Sequence, residues 1–350
     1  MEQPKKVFVA GGAGFIGSNF IHHLLNTHTD IEVLNYDKLA YAGNLENLRD
    51  LESDKRYRFV RGDIVDKKTL RAALDAFRPT HIINFAAETH VDRSIHVGAE
   101  AFIQTNIWGP FNFLEYIKDH PTEKYLQVST DEVYGSLDLK STERFSEKTA
   151  FDPNIPYSAT KAGGDLLCKA YFSTWHVPVV VTHCSNNYGS YQYPEKLIPF
   201  FIVRMLEGKT LPLYGDGKHV RDWIYVLDHC EALKLCLFGG KAGEVYNIGA
   251  DNERANVDIA RAILRHFGKD DSFLEFVQDR PGHDRRYSVD SSKIRSELGW
   301  APRTSFEEAF SKTIRWYVEH HEWIEDVRKK TGVFNPHIDL WKGHGLAPKG

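Results

Sequence analysis

The chain is poor in the features that mark an oxidising, membrane-bound or nucleic-acid-bound protein. Its four cysteines, Cys168, Cys184, Cys230 and Cys236, are scattered and form no Cys-x-x-Cys pair. That spacing offers neither a disulfide framework nor a thiolate metal site, and predicts reduced, mostly buried thiols. No apolar run approaches the ~20 residues that span a bilayer. The first apolar segment, Val7-Phe8-Val9-Ala10, is too short for the core of a secretory leader and leads into glycines instead of a cleavage site. A net charge of −4 over 350 residues gives no general attraction to nucleic acid or to an anionic membrane. Repeats and low-complexity runs are absent. His22-His23 and His320-His321 lack ligand spacing and an evident carboxylate partner, so no catalytic metal is expected. A cytoplasmic protein acting on a small molecule is the expectation.

What is present is an alternation of short β-rich runs and helical periodicity. Val7–Ala10, Glu32–Tyr36, Tyr57–Arg61, His81–Phe85, Tyr125–Val128 and Val179–His183 read as strands. Ser18–Leu25, Lys67–Ala76 and Thr105–Lys118 read as helices between them. This order predicts an α/β fold: a doubly wound parallel sheet with an interleaved smaller α/β lobe. Residues 1–185 form its first part. Tyr193–Pro199 and Leu211–Gly217 read as loops, while Val220–Val226 and the helix Asp228–Phe238 read as a return to the main sheet, within 219–248. Residues 186–218 and 249–330 are then the second lobe, with helices at Asn256–Phe267 and Ser305–Trp323. The tail, 331–350, has little periodicity.

Gly11-Gly12-Ala13-Gly14-Phe15-Ile16-Gly17 follows the first strand and opens the first helix. Such a turn lets backbone amides and a helix amino end approach a pyrophosphate. Asp37 ends the second strand twenty residues on, where a carboxylate accepts ribose hydroxyls and repels a 2′-phosphate. The pair predicts NAD instead of NADP. Asp63-Ile64, after the third strand, is placed near the adenine, although Asp63 alone also suits a helix N-cap.

Ser129-Thr130-Asp131-Glu132 follows the fifth strand, at the ligand edge of a parallel sheet. Tyr157 and Lys161 follow at helical i, i+4 spacing, which sets them on one face. A phenol titrates near ~10 and needs a neighbouring cation to serve as a base. Two adjacent carboxyls in a closed pocket separate in pKa, one staying protonated as an acid and one ionised as a base. Oxidation of an alcohol uses only the tyrosine and lysine, so the added acid–base pair points to an elimination of water. Arg221 and the stretch from Asp279 to Arg286 supply guanidinium groups suited to a diphosphate.

With these residues the chain resembles the extended short-chain dehydrogenase/reductases, specifically the dTDP-glucose 4,6-dehydratases, from about Val7 to Trp323. The likeness runs through GGAGFIG, DKLAYAGN (Asp37–Asn44), AAETHVDRS (Ala86–Ser94), STDEVYG (Ser129–Gly135), YSATKAGGD (Tyr157–Asp165), SNNYG (Ser185–Gly189), PEKLIP (Pro194–Pro199), YGDG and RDW (Tyr214–Trp223), and RPGHDRRY (Arg280–Tyr287). The resemblance implies that Tyr157, assisted by Thr130 and Lys161, removes the C4 hydroxyl proton while NAD accepts the hydride. Glu132 then takes the C5 proton, Asp131 protonates the leaving C6 hydroxyl, and the hydride returns to C6. It also implies cofactor contacts at Gly11, Gly14, Phe15, Ile16, Gly17, Asp37, Lys38, Asp63, Ile64, Ala86, Ala87, Thr105, Tyr157, Lys161 and Asn187. Nucleotide-sugar contacts are implied at Thr89, Asn186, Lys196, Leu197, Ile198, Pro212, Leu213, Tyr214, Arg221, Asn256, Arg280 and His283. A homodimer through Thr105–Lys118 and Tyr157–Phe172 is implied as well.

Ala10 and Ala40 stand where the family often has threonine, and Ser190 where it has proline. Three relatives of this chemistry stay open. A UDP-glucose 4,6-dehydratase would share every catalytic group; a 4-epimerase has no use for Asp131 and Glu132; a UDP-glucuronate decarboxylase usually has serine in place of Asp131. An inactive NAD-binding scaffold would be expected to lose the tyrosine, lysine or acid.

Overall fold

A computed structural model describes residues 4–331. The first six strands alternate with helices: β1 (Lys5–Ala10), α1 (Phe15–Thr27), β2 (Ile31–Asp37), β3 (Tyr57–Arg61), α2 (Lys67–Phe77), β4 (His81–Asn84), α3 (Val91–His96), α4 (Glu100–Ile103), α5 (Gly109–Asp119), β5 (Lys124–Thr130), α6 (Pro156–Trp175) and β6 (Val179–Cys184). In β1 the apolar run is continuous because both faces of the strand are covered. Val7 and Val9 enter one core with Phe20 and Ile21 of α1. Phe8 and Ala10 enter the opposite core with Leu70 of α2 and Phe113 of α5. On α2 the buried residues Leu70, Leu74 and Phe77 recur at helical spacing, and Asp66 caps the first turn by accepting from the Lys68 and Thr69 amides. Each such side chain contributes roughly 1.5–3 kcal/mol by leaving water. The helix stops at Arg78, whose φ of 53° is left-handed.

The later elements are β7 (Asn186–Tyr188), α7 (Leu197–Leu206), β8 (Leu211–Tyr214), β9 (Val220–Tyr225), α8 (Val226–Gly239), β10 (Val245–Ile248), β11 (Glu253–Ala255), α9 (Asn256–His266), β12 (Leu274–Val277), α10 (Ser292–Leu298), α11 (Phe306–Glu319) and α12 (His321–Thr331). The main sheet has seven strands in the order β10-β6-β5-β4-β1-β2-β3, all parallel. Its order reverses between β1 and β4, which opens a crevice at their carboxyl ends. Two small sheets, β11-β9-β7 and β12-β8, accompany a further core built from Ile198, Phe201, Leu213, Ile259, Ile263 and Phe310.

Several expectations from sequence change here. Val220–Val226 does not rejoin the main sheet; β9 is the middle strand of the three-stranded sheet, and α8 and β10 make the return. Leu211–Gly217 is a loop only at its end, because Leu211–Tyr214 is a strand paired with β12. The helix expected over Ser305–Trp323 is two, broken at His320, and α7 already begins at Leu197 inside the expected loop. Ahead of α5 the backbone widens into a π-type turn over Gln104–Trp108. His22 and His23 do have carboxylate partners, Asp50 at 2.9 Å and Glu231 at 2.8 Å, both supplied by distant segments. The tail from Gly332 lies outside the described residues, and among the described residues no helix is long and apolar enough to cross a membrane.

Candidate active site

The glycine turn is as tight as its sequence demands. Gly11 has φ +76°, and a Cβ there would stand 2.5 Å from the Ala86 amide nitrogen. A Cβ at Gly17 would stand 2.3 Å from the Gly11 carbonyl. No side chain caps α1 at Gly14, so its first amides remain available to an anion. Beside them, Asp37 accepts from the Ala13 amide (3.0 Å) and the Leu39 amide (2.8 Å), which aims its carboxylate across the turn. Burial raises its pKa, and the two amides oppose that rise. Lys38 lies between Asp63 (3.6 Å) and Glu88 (3.7 Å). Asp63 is no helix cap: that place belongs to Asp66, and Asp63 accepts from the Val65 amide. Ile64 and Thr105 are buried, and Ala86 and Ala87 follow the end of β4. These residues suit a dinucleotide: a close-approach turn, uncapped amides and a fixed carboxylate at the switch point.

β5 ends at Thr130, whose hydroxyl accepts from the Glu132 amide (3.3 Å) as Asp131–Tyr134 turns into one 3₁₀ coil. That coil puts two carboxyls in the crevice. Asp131 is 2% exposed and its Oδ2 has no hydrogen-bond partner among the described residues. Burial, then the Glu132 charge, pushes its pKa far above the ordinary carboxyl range. For Glu132, burial also raises the pKa, but Arg280, Lys196 and Arg221 pull it back. The cations thus separate the pair, leaving Asp131 the protonated member and Glu132 the ionisable one.

Tyr157 and Lys161 are buried on α6, facing the same crevice as Thr130. Burial, then Glu132, raises the phenol pKa, while a hydrogen bond with Thr130 lowers it. Lys161 donates from Nζ to the Val128 carbonyl at 2.7 Å, which leaves two further N–H donors. Burial draws its pKa down and Asp165 draws it up.

The second lobe contributes cations. Arg221 of β9 is buried, stacks over the Tyr287 ring at 4.1 Å and donates to the Asp284 and Val220 carbonyls. Arg280 lies 3.5 Å from Asp92, and its Nε is a buried donor with no hydrogen-bond partner among the described residues. Lys196 donates to the Thr89 carbonyl. Asn186 and Asn256 each keep a buried Oδ1 without a hydrogen-bond partner among the described residues. Asn187 is committed differently, its Oδ1 facing His229 at 2.8 Å. Strand alternation sorts the others: Pro212 and Tyr214 are half-buried, whereas Leu213 packs into the lobe's core, so only its backbone can reach a ligand. Ile198 is buried in the same core, and Leu197 packs against it.

Sequence reading missed three features. Asp222, beside Arg221, is buried, accepts from the Ala250 and Asn252 amides, and has its pKa lifted to about 6 by burial. The buried groups Asp165, His183 and Tyr134 form a chain behind Lys161. His219, Asp279 and His283 converge with ligand atoms within 4.8 Å of one another. That last cluster bears on the expectation of no metal. Burial, then Arg280 and Arg221, drives the His283 pKa down, so the surrounding field favours an anion over a cation.

Comparison with known proteins agrees with this geometry. The family model described as GDP-mannose 4,6 dehydratase matches residues 8–313. A dTDP-glucose 4,6-dehydratase of Xanthomonas campestris pv. campestris is 46% identical, over 91% of this chain and 95% of its own. The dTDP-glucose 4,6-dehydratase 1 of Escherichia coli K12 is 44% identical, over 95% and 98%. The crystal structure of a dTDP-glucose 4,6-dehydratase from Streptomyces venezuelae, with NAD bound, is 46% identical and superimposes with a TM-score of 0.88, covering 92% of this chain and 99% of that one. The chain belongs to the dTDP-glucose 4,6-dehydratase family.

Proposed function

We propose that this enzyme converts dTDP-glucose to the 4-keto-6-deoxy sugar by oxidation at C4, loss of water across C5–C6 and reduction at C6. The observation that carries the reading is the pair of buried Asp131 and half-buried Glu132, which neighbouring cations separate into an acid and a base. NAD, bound at the glycine turn and Asp37, supplies a two-electron acceptor that ends each cycle as it began.

The chain's own groups do the rest. Tyr157 takes the C4 hydroxyl proton; Thr130 orients that oxygen, and the Lys161 ammonium favours the phenolate. The C4 ketone acidifies C5–H, and Glu132 removes that proton; C5 regains a proton when C6 is reduced. Asp131, protonated because it is buried beside Glu132, gives its proton to the C6 hydroxyl as water departs. Arg221 and Arg280 hold the diphosphate, and Pro212 and Tyr214 line the base. UDP-glucose would meet the same chemistry. Four buried thiols fit a cytoplasmic location. Exposed Trp108, Leu166 and Trp175 on or beside the two expected helices fit a homodimer, which sedimentation would show as a mass near that of one chain if wrong.

The test is incubation with dTDP-glucose, and separately UDP-glucose, in deuterated water without added reductant. Loss of one water with deuterium at C5 is expected, faster for dTDP-glucose. Recovery of unchanged or C4-inverted sugar would remove Asp131 and Glu132 from the roles given them.

A further inference from the structure

Tyr157, Lys161 and Asp165 lie at i, i+4 and i+8 of α6, and all three are buried. The first two face the crevice; the third has no place in the reaction as derived. Asp165 Oδ2 accepts from the Ser129 hydroxyl at 2.6 Å and faces His183 Nε2 at 3.1 Å. Its Oδ1 is buried with no hydrogen-bond partner among the described residues. Side-chain exposure is 3% for Asp165 and 1% for His183, so the charges there are met by protein and not by water.

Counting protons along the chain shows what the pair holds. Asn247 donates through Nδ2 to the Phe145 carbonyl, which fixes its Oδ1 as the acceptor for Tyr134. Tyr134 therefore gives its one proton to Asn247 and accepts from His183 Nδ1 at 2.6 Å. With Nδ1 protonated, the contact between His183 Nε2 and Asp165 needs one more proton than a neutral imidazole and an ionised carboxylate supply. Asp165 then stands between Lys161, four residues back on its own helix, and the His183 ring on β6. A buried ammonium without an anion is strongly disfavoured. Among the groups around Lys161, Asp165 favours its charged form most, ahead of Cys184 and Cys168.

We propose that Asp165 is a positioning residue for the Tyr157–Lys161 pair: the buried carboxylate that keeps Lys161 charged and held against the Val128 carbonyl. The inference rests on the assignment of Tyr157 and Lys161 proposed above. Other groups also face this carboxylate. Tyr125 of β5 and Tyr134 of the coil after β5 both feel its charge, Cys168 lies on the same helix, and Glu147 faces Tyr134. Asp165 and His183 also form part of the inner wall of a groove lined by Phe151, Phe172 and Val245.

The test is the pH profile of kcat for the holoenzyme with dTDP-glucose, in wild type, Asp165→Asn, Asp165→Glu and His183→Gln. Asparagine keeps an acceptor for Ser129 and removes only the charge. The alkaline limb, where Lys161 loses its proton, is expected to move to lower pH by about one to two units in Asp165→Asn, as for a charge one helical turn away in a protein interior. Asp165→Glu restores it. His183→Gln leaves Asp165 to Lys161 alone and moves the limb the other way. The 13Cε NMR signal of Lys161, identified by its loss in Lys161→Met, is expected to titrate in parallel. A uniform fall in kcat with the limb unmoved would overturn the proposal, as would a downward shift or no shift in His183→Gln, which also serves if Asp165→Asn does not fold. An inactive wild type would instead refute the assigned reaction and leave the NMR titration to judge Asp165.

Discussion

Replacing Asp131 by asparagine isolates one step of the reaction. The two side chains are nearly isosteric, and the folded protein already favours the uncharged form of Asp131, so little of the pocket's geometry or charge changes. What disappears is a transferable proton, because an amide can donate a hydrogen bond but cannot protonate a leaving hydroxide. General acid catalysis contributes about 10²–10⁴-fold, or roughly 2.7–5.5 kcal/mol of barrier. The site is closed, with Asp131 2% exposed, so water is a poor substitute donor and the loss should lie in the upper half of that range. The assay is NMR in deuterated water, following the C6 methyl group of the product and deuterium at C5 of recovered substrate. Methyl formation should fall by about 10³-fold, while C5 of recovered dTDP-glucose still acquires deuterium, since Tyr157 and Glu132 are intact. Stability offers a second check. An acid whose pKa rises on folding stabilises the fold only below its unfolded pKa, and that stability is lost as pH climbs toward the folded value. At neutral pH the asparagine variant should therefore melt no lower than wild type. A loss of less than tenfold in methyl formation, or an equal loss of C5 exchange, would refute Asp131 as the acid.

Two further outcomes follow from positions outside that step. Asp222 has a folded pKa near 6 against about 3.8 in the unfolded chain, so its contribution to stability is fully present below pH 3.8 and declines by about 3 kcal/mol as pH rises through 6; Asp222→Asn should flatten the unfolding free energy between pH 4 and 6, and an unchanged slope in denaturant titrations would contradict it. Gly11→Ala places a methyl group 2.5 Å from a backbone nitrogen at a positive φ, so the strand–helix turn must shift; NAD affinity by calorimetry should fall at least about tenfold for a loss of ~1.4 kcal/mol, and unchanged affinity would show that the turn does not hold the pyrophosphate.

The sequence made legible whatever is encoded over a few neighbouring residues. β1, the glycine turn and Asp37 lie within one βαβ unit, and Tyr157 and Lys161 are fixed by a single helix, so local pattern and family resemblance agreed there. β8 and β9 were misread for the opposite reason. LPLY is short and carries a proline, and nothing local in VRDWIY tells which sheet it joins, since its flanking strands β7 and β11 come from distant segments. The His22–Asp50 and His23–Glu231 pairs join residues 28 and 208 positions apart, beyond the reach of any local spacing. Asp165 did leave a signal, one turn beyond Lys161, but its meaning depends on Ser129 and His183 arriving from two other strands.

Arg221 and Asp222 occupy consecutive places on β9 and serve opposite faces of it. The arginine leans over Tyr287, on the side proposed for the diphosphate, while the aspartate fastens the backbone that follows β10. Because side chains alternate along a strand, a shift of β9 by one residue in its pairing with β7 and β11 would exchange them. A carboxylate would then meet the substrate's phosphates, and a guanidinium would be forced against amide donors. This short segment can therefore drift in composition but not in length. Its parity acts as a frame marker for the lobe, with additions of chain confined to the turns on either side.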